Sequence, residues 1–261
     1  MIVENKPGAG GGIGTRQVAT APADGYTLMV GTNATHAANN FLYKAHLGNP
    51  LKDFKPIAMI GTLPLVFVTK PGNPINSMKE LASASVPGGR QPDIAISTNS
   101  SRMAYELFHS KAEGKLLPID YKGSAQAVTD LMGGHVEYMV DTIASLRPFI
   151  EKQQIKALGV TSARGTELLP NVASLAEQGI AGYELVGWNV LYTPAGIPAE
   201  AEKALREASR KVLQSAEVKD KLLSTGIQPL YLEGRELDDY LKAEYDKWGR
   251  LIDAAGLKGK L

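Results

Sequence analysis

The chain has 261 residues, of which 44% are hydrophobic and 21% are charged. This length and balance are typical of a globular protein with about two domains of roughly 150 residues each. Its 28 Lys and Arg residues against 27 Asp and Glu give a net charge of +1, so no basic surplus indicates a nucleic-acid or membrane-surface partner. The absence of cysteine excludes disulfides, a thiol nucleophile and thiolate metal ligands.

The first predicted elements are a strand that ends near Val3, a glycine-rich loop and a helix that begins at Ile13. Pro7 ends the strand because proline has no N–H for a sheet ladder. Five glycines follow within seven residues: Gly8, Gly10, Gly11, Gly12 and Gly14. Glycine leaves backbone N–H groups uncovered, and the positive end of the helix dipole lies at the same place. The loop is therefore predicted to favour an anion.

Three interpretations of this loop are open when its own residues are considered alone. The pattern G-x-x-x-G-I-G, which spans residues 8–14, resembles the dinucleotide-binding loop of short-chain dehydrogenases. The same residues are consistent with a carboxylate-binding loop or with a tight turn that binds nothing. The rest of the chain decides between them.

Short strands and helices then alternate as far as residue 161. The predicted strands cover residues 26–31, 54–60, 65–69, 93–97, 116–119, 136–140 and 155–161. The predicted helices cover residues 37–43, 77–84, 125–132 and 143–151, and another follows Ser101. This alternation predicts a parallel sheet flanked by helices.

Four of these strands end in small polar residues directly before a helix, at Thr32, Thr98, Gly123 and Asp141. In open α/β sheets, ligands bind at the carboxyl ends of the strands. The sequence therefore predicts one polar rim that includes the glycine loop, and Asp141 is the only acidic residue on it.

The last part of the chain has a different character. Residues 183–192 are predicted to form a strand long enough to cross between two lobes. Residues 199–224 and 236–255 have the apolar spacing of two amphipathic helices. We expect this helical segment to pack back on the first lobe.

The spacing of reactive residues indicates no catalytic or metal-binding site. The chain has no G-x-S-x-G motif and no G-K-[ST] after the glycine loop. Its four histidines, His36, His46, His109 and His135, lack zinc-site spacing. None of the ten tyrosines has a lysine four residues later, so the Tyr-x-x-x-Lys pair of a short-chain dehydrogenase is absent. The sequence therefore predicts no enzyme, no metal and no cofactor, and it disfavours an NAD(P) oxidoreductase.

The order of motifs along the whole chain resembles the tripartite tricarboxylate transporter receptors, which are the Bug or TctC-like family of extracytoplasmic solute-binding proteins. The resemblance is carried by VENKPGAGGGIG, APADGYTLMVGTNATHA, DFKPIAMIG, YKGSAQAVTDLMGGHVEYMVD, LGVTSARGTELLPNVASLAEQG and GYELVGWNVLYTPAGIP. It implies an α/β, two-lobed periplasmic binding protein of the type II kind, with parallel-rich sheets flanked by helices.

The same resemblance implies a function. A small carboxylate (a di- or tricarboxylate, an amino acid or an aromatic acid) would be captured between the lobes and delivered to membrane permease subunits, although some members serve signalling. We expect residues 1–63 and 194–261 to form lobe 1 and residues 64–193 to form lobe 2.

The family's ligand contacts fall on loops that follow strands. Carried over to this chain, the lobe 1 contacts are Gly10, Gly11, Gly12, Thr32, Asn33, Thr35 and His36. The lobe 2 contacts are Asn99, Ser100, Ser101, Gly123, Ser124 and Asp141. For Asp141, pairing with a ligand ammonium or hydroxyl and a role as a helix N-cap are both open.

The chain departs from the family pattern at two places. Residues 98–102 are shorter than the family's glycine-containing loop, and Arg102 stands where a histidine is usual. The family also begins with a further strand, a Pro-Gly-Gly-x-x-Asp loop and a helix upstream of VENKPGAGG. We therefore expect a compromised lobe 1 that binds ligand weakly. We also expect a homodimer that forms through the gap which the absent strand, loop and helix would leave in this lobe. We also expect a periplasmic location, with a signal peptide that is not present in this chain.

Overall fold

The computed structural model describes residues 2–44, 48–83, 91–112 and 116–260 of the chain. Its strands are β1 (Met29–Thr32), β2 (Phe54–Thr69), β3 (Asp93–Ile96), β4 (Leu117–Asp120), β5 (Tyr138–Thr142), β6 (Lys156–Val160), β7 (Val186–Pro194) and β8 (Gln228–Pro229). Its helices are α1 (Gly12–Ala19), α2 (Asn39–Leu42), α3 (Met78–Ser83), α4 (Asn99–Lys111), α5 (Ser124–Gly133), α6 (Ile143–Glu151), α7 (Ala199–Leu213), α8 (Ala216–Ser224) and α9 (Gly234–Ala254). A 3-10 turn, Ala9–Gly11, precedes α1, and a π-helical turn, Ala34–Ala38, precedes α2.

The predicted alternation of strands and helices is present from β3 to β6, but other predicted elements are wrong. Residues 2–7 form no strand, and Ile2 and Val3 are 88% and 78% exposed. Residues 54–69 form one strand instead of two, because the turn-like residues 61–64 are largely buried and stay extended. The helix predicted at 199–224 is divided into α7 and α8, and the hydroxyl of Ser215 between them accepts a hydrogen bond from the N–H of Val218.

The chain divides into two compact units. Unit 1 contains Met1–Thr62, Trp188–Leu222 and Pro229–Leu261, and unit 2 contains Leu63–Gly187 and Leu223–Gln228. The predicted lobe limits stay a prediction, and the structural units differ from them chiefly at residues 188–193 and 223–228. The second of these segments belongs to unit 2 because Arg147 Nη1 donates to the carbonyl of Leu223 (3.2 Å) and Gln228 accepts from the hydroxyl of Thr166 (2.8 Å).

The sheet of unit 2 has a parallel centre. β3 runs parallel to both β4 and β5, whereas β2 runs antiparallel to β5 and to β6. A hydrophobic core that includes Val66, Ala95, Leu131, Met139 and Ile143 packs against this sheet. Because β3, β4 and β5 are parallel, their carboxyl ends lie at one edge of the sheet, where their polar successors can meet.

Unit 1 is built on β1, β7 and the long helix α9. β1 runs antiparallel to β7, with Met29 opposite Tyr192. The apolar face of α9 is buried, and a buried carboxylate, Glu244, lies on the same face. Glu244 Oε2 accepts hydrogen bonds from the indole N–H groups of Trp188 and Trp248, both at 3.2 Å. The buried charge therefore has partners, as burial of a carboxylate requires.

A helix that crosses a bilayer needs about 20 predominantly apolar residues. None of the helices in the described ranges combines the length with the hydrophobicity that a crossing needs.

Candidate functional site

The glycine loop of unit 1 adopts backbone conformations that side chains disfavour. Gly8, Gly10 and Gly11 have φ angles of 121°, 59° and 91°. Helix α1 begins directly afterwards, with Gly11 as its N-cap. Because glycine has no side chain, it cannot cap the first N–H groups of the helix. The N–H groups of Gly11 and Gly12 already donate to the carbonyls of Gly8 and Ala9, so an anion at this helix start would depend on the other N–H groups of the loop and of the first turn of α1. No strand precedes the loop in residues 2–7.

Residues that follow β1 hold this loop in place. Asn39, which is 4% exposed, donates from Nδ2 to the carbonyl of Gly10 at 2.9 Å. A Cβ atom on Gly10 would lie 2.8 Å from Tyr43 Oη, and one on Gly11 would lie 2.6 Å from Thr35 Cγ2. Because a side chain there would displace these neighbours and would be strained at φ values of +59° and +91°, both positions favour glycine. The structure thus brings the predicted residues of the loop together with Thr35.

Thr32 and Thr35 form a local hydrogen-bonded turn at the end of β1. Thr35 Oγ1 accepts from the N–H of Thr32 (2.9 Å) and donates to its carbonyl (3.2 Å). The same oxygen lies 2.8 Å from Nδ1 of His36. Both threonines are half-buried, whereas Asn33 between them is 7% exposed. The hydroxyl of Thr35 is therefore already engaged by its own turn.

His36 is a core residue of unit 1. It is 3% exposed, its ring lies edge-on to Phe54, and no described residue bonds its Nε2. Burial lowers the pKa of His36 from 6.5 to about 3, because the charged form would lose its hydration. The imidazole is therefore neutral at physiological pH.

The polar residues at the parallel edge of unit 2 form a second group, which we call the serine–aspartate cluster: Ser97, Ser124 and Asp141. The hydroxyls of Ser97 and Ser124 both donate to Oδ2 of Asp141 at 2.5 Å. The N–H of Thr142 donates to Oδ1 at 2.6 Å. Asp141 is 1% exposed, whereas the two serines are half-buried. The convergence of these strand ends agrees with the rule for parallel sheets.

The three helices that begin at this edge have different N-caps. Thr98 caps α4 in a capping box with Ser101, whose buried hydroxyl is engaged there. Thr142 caps α6 by accepting from the N–H of Ser145, so the N-cap interpretation of Asp141 is wrong. Gly123 is the N-cap of α5 and has no side chain that could accept a hydrogen bond from the first turn of the helix. The first N–H groups of α5 are therefore not covered by a cap residue's side chain.

The other predicted contacts of unit 2 lie at the start of α4. Asn99, which is exposed, and Ser100, which is half-buried, are the first two residues of that helix.

Sequence reasoning missed two residues of these clusters. Ser97 follows β3 directly. The predicted polar residues after that strand began at Thr98, one residue later, and so did not include Ser97. Asn39 was missed because nothing in its local sequence indicates a bond to a carbonyl 29 residues earlier.

The described residues contain no group of histidine and carboxylate side chains that could hold a metal ion. His109 and His135 are exposed, and His46 lies outside the described residues.

Solved structures define the class of protein to which this fold belongs. The chain is similar to R. palustris Rpa4515 with adipate, with a TM-score of 0.80 and 29% identity over 98% of this chain and 86% of that one. It is also similar to the periplasmic binding protein BugD, with a TM-score of 0.75 and 29% identity over 98% and 87% of the two chains. These likenesses confirm the predicted fold class, the α/β two-lobed periplasmic binding proteins.

The chain belongs to the tripartite tricarboxylate transporter family receptors, TctC, whose family profile matches residues 1–257. A relative from Pseudomonas sp. (strain P51), the UPF0065 protein in the tcbD-tcbE intergenic region, is 31% identical over 255 residues. That match covers 97% of this chain and 76% of the relative. The resemblance stated from the sequence is confirmed, and the oxidoreductase alternative is not favoured.

Proposed function

We propose that this chain is a periplasmic receptor that binds a small carboxylate and presents it to the permease subunits of a tripartite tricarboxylate transporter, without catalysing a reaction. Membership of the receptor family supports the receptor and transporter parts of this proposal. The adipate complex of R. palustris Rpa4515 supports a carboxylate as the ligand.

The observation that carries the carboxylate assignment is the choice of N-cap residues. Glycines stand at the N-caps of α1 and α5, whereas threonines cap α4 and α6 with their side chains. An uncapped helix start favours an anion by about 0.3–1 kcal/mol. Each hydrogen bond to a charged group adds about 1.5–3 kcal/mol.

The proposed ligand site divides the predicted residues into two roles. Direct donors to the ligand would be the backbone N–H groups of Gly10, Gly123 and Ser124 and the side chains of Asn99 and Ser100. Gly11 and Gly12, whose N–H groups already donate to the carbonyls of Gly8 and Ala9, would shape the glycine loop. Positioning residues are those whose polar atoms are buried or already bonded, namely Thr32, Asn33, Thr35, His36, Ser101 and Asp141. The burial and hydrogen bonds described above support this division.

The lobe assignment and the homodimer remain proposals. Residues 1–63 and 194–261 would form one lobe and residues 64–193 the other. Val30 lies in β1, the first strand in the sheet order, and is 55% exposed, which supports association at that edge. Sedimentation of the purified chain across a concentration series would show a dimer or exclude one.

The test of the proposed function is a thermal-shift screen of di- and tricarboxylates, amino acids and aromatic acids, with NAD⁺ and NADP⁺ as comparators. A ligand that binds only the folded chain raises its unfolding temperature by mass action. We expect at least one small carboxylate to do so and neither nucleotide to do so. A response to a nicotinamide nucleotide alone would contradict the proposal.

A further inference from the structure

We propose that Asp141 is a positioning residue that makes the ligand site of unit 2 prefer acids with a hydroxyl or ammonium donor beside the carboxylate. This inference rests on the proposed function and deepens it, because it concerns which small carboxylate the chain prefers.

The geometry of the serine–aspartate cluster keeps Asp141 away from direct ligand contact. Both oxygens of its carboxylate are engaged, Oδ2 by the hydroxyls of Ser97 and Ser124 and Oδ1 by the N–H of Thr142. The residue is only 1% exposed. The three donors at 2.5–2.6 Å are the partners that a buried carboxylate needs. Any influence of Asp141 on a ligand therefore passes through the two serines, which are half-buried.

The direction of these hydrogen bonds decides what the serines can offer. A hydroxyl has one hydrogen and two lone pairs. The hydrogen of each serine points at Asp141, so the remaining capacity of both oxygens is that of an acceptor. Donation to a charged group also strengthens the same oxygen as an acceptor. A ligand O–H or N–H can donate a hydrogen bond to these oxygens, whereas a carboxylate oxygen would be repelled by their lone pairs.

Ser124 links this acceptor to the anion-favouring helix start. It is the first residue of α5 and follows the N-cap Gly123. Its backbone N–H therefore belongs to the uncapped first turn, while its Oγ belongs to the serine–aspartate cluster. A carboxylate held by the N–H groups of this turn would bring its neighbouring carbon near Oγ of the same residue. A hydroxyl or ammonium on that carbon matches the acceptor, so 2-hydroxy and 2-amino acids are the preferred class.

The experiment compares matched acids that differ by one hydroxyl. Isothermal titration calorimetry measures the affinity for four pairs: succinate and malate, glutarate and 2-hydroxyglutarate, propionate and lactate, and phenylacetate and mandelate. In each pair whose acids bind, we expect the hydroxy acid to bind about tenfold more tightly than the plain acid, which corresponds to about 1.4 kcal/mol. Asp141→Asn should reduce this preference to less than about threefold, because an amide no longer fixes both serine hydrogens.

A matched control separates this effect from the loss of any negative charge. Asp120→Asn removes a carboxylate at the end of β4, where Asp120 is exposed and pairs with Arg102 instead. That variant should keep the preference for the hydroxy acids. If Asp141→Asn does not fold, Ser124→Ala provides the second test, since it removes the acceptor and leaves Asp141 bonded to Ser97.

Each outcome of the titrations bears on the inference. Plain acids that bind as tightly as their hydroxy partners would overturn it and leave the proposed function standing. A preference that survives both Asp141→Asn and Ser124→Ala would also overturn it. Failure of all eight acids to bind would overturn the proposed function for these acids and this inference with it.

Discussion

The imidazole of His36 lies flat on the phenol ring of Tyr192, with ring centroids 4.0 Å apart and an angle of 11° between the planes. Both side chains are almost completely buried. The stack keeps the ring of His36 in the core of unit 1, where it supports the turn through Thr35. His36, which the sequence predicted as a ligand contact, is therefore an aromatic core residue of unit 1 with a neutral imidazole.

The first prediction concerns the pH dependence of unit 1. The folded pKa of His36 is about 3, whereas the unfolded value is 6.5. Between these values the unfolded chain binds a proton that the folded chain does not, so stability falls as pH decreases below 6.5. Lowering the pH from 7 to 5 should reduce the free energy of unfolding by about 2 kcal/mol through this residue. Urea unfolding followed by tryptophan fluorescence measures this, since Trp188 and Trp248 both lie in unit 1.

The variant His36→Phe keeps an aromatic ring but has no group to protonate. Its stability should depend on pH less steeply between pH 7 and 5 than that of the wild type. The control is His135→Phe, because His135 is exposed and lies in unit 2. Equal pH slopes for wild type and His36→Phe would show that His36 is accessible to protons in the folded chain.

The second prediction concerns two glycines with different surroundings. Gly11 has a φ of +91°, and a Cβ atom on it would lie 2.6 Å from Thr35 Cγ2. Gly11→Ala should reduce stability by about 1–3 kcal/mol and weaken binding of a carboxylate. Gly14 lies inside α1, and a Cβ atom there would meet Lys6 at an ordinary 3.5 Å. Gly14→Ala should instead stabilise the chain by about 0.5–1 kcal/mol.

Thermal unfolding and calorimetric titration of the two variants test this pair of expectations. If Gly11→Ala binds the acid as tightly as Gly14→Ala does, the glycine loop takes no part in ligand binding.

The third prediction concerns the carboxylate that both tryptophans share. Replacing Glu244 with leucine leaves the indole N–H groups of Trp188 and Trp248 without their acceptor inside the core. We expect a loss of about 2–4 kcal/mol, because buried donors that lose their partners are costly. Glu244→Gln keeps an acceptor oxygen and should cost less. Asp246→Asn, on the exposed side of α9, should cost almost nothing.

Chemical denaturation gives these energies, and tryptophan emission provides a second measurement. The emission maximum should move in both Glu244 variants and stay constant in Asp246→Asn. An unchanged spectrum in Glu244→Leu would contradict the shared hydrogen bonds.

The elements that the sequence predicted most accurately are those that depend on the local pattern of residues. The bounds of α6 agree with the predicted residues 143–151, because apolar spacing is a local signal, although its N-cap is Thr142 and not the Asp141 that the sequence suggested. The alternation of strands and helices, which is also a local pattern, predicted the parallel sheet that forms the centre of unit 2. The strand ends that form the serine–aspartate cluster followed from that alternation, since parallel strands place their carboxyl ends together.

Long-range contacts explain what the sequence could not show. The sequence Ser174-Leu-Ala-Glu177 has the spacing of a capping box and predicts a helix that ends at Gly179. Ser174 and Glu177 exchange the two bonds of that box, at 2.9 and 3.1 Å, but the residues after Ser174 form turns instead of a helix. The side chain of Gln178 turns inward and bonds the carbonyl of Leu158 and the N–H of Met78. Such contacts override local propensity. The burial of His36 is a similar case, because its aromatic neighbours come from distant strands.

The last prediction concerns Asn39, which the sequence did not indicate. Its Nδ2 donates to the carbonyl of Gly10 at 2.9 Å, while the next residue, Asn40, donates in the same way to the carbonyl of Gly48 at 3.0 Å. Alanine at either position removes one hydrogen bond, and each should cost about 1 kcal/mol of stability. Only Asn39→Ala releases the glycine loop, so only that variant should also weaken binding of the acid selected by the thermal-shift screen, by about three- to tenfold, as calorimetric titration would show. If the two variants bind the acid equally well, the bond from Asn39 stabilises unit 1 without preparing the loop for a ligand, and the proposed role of the loop must then rest on Gly11 alone.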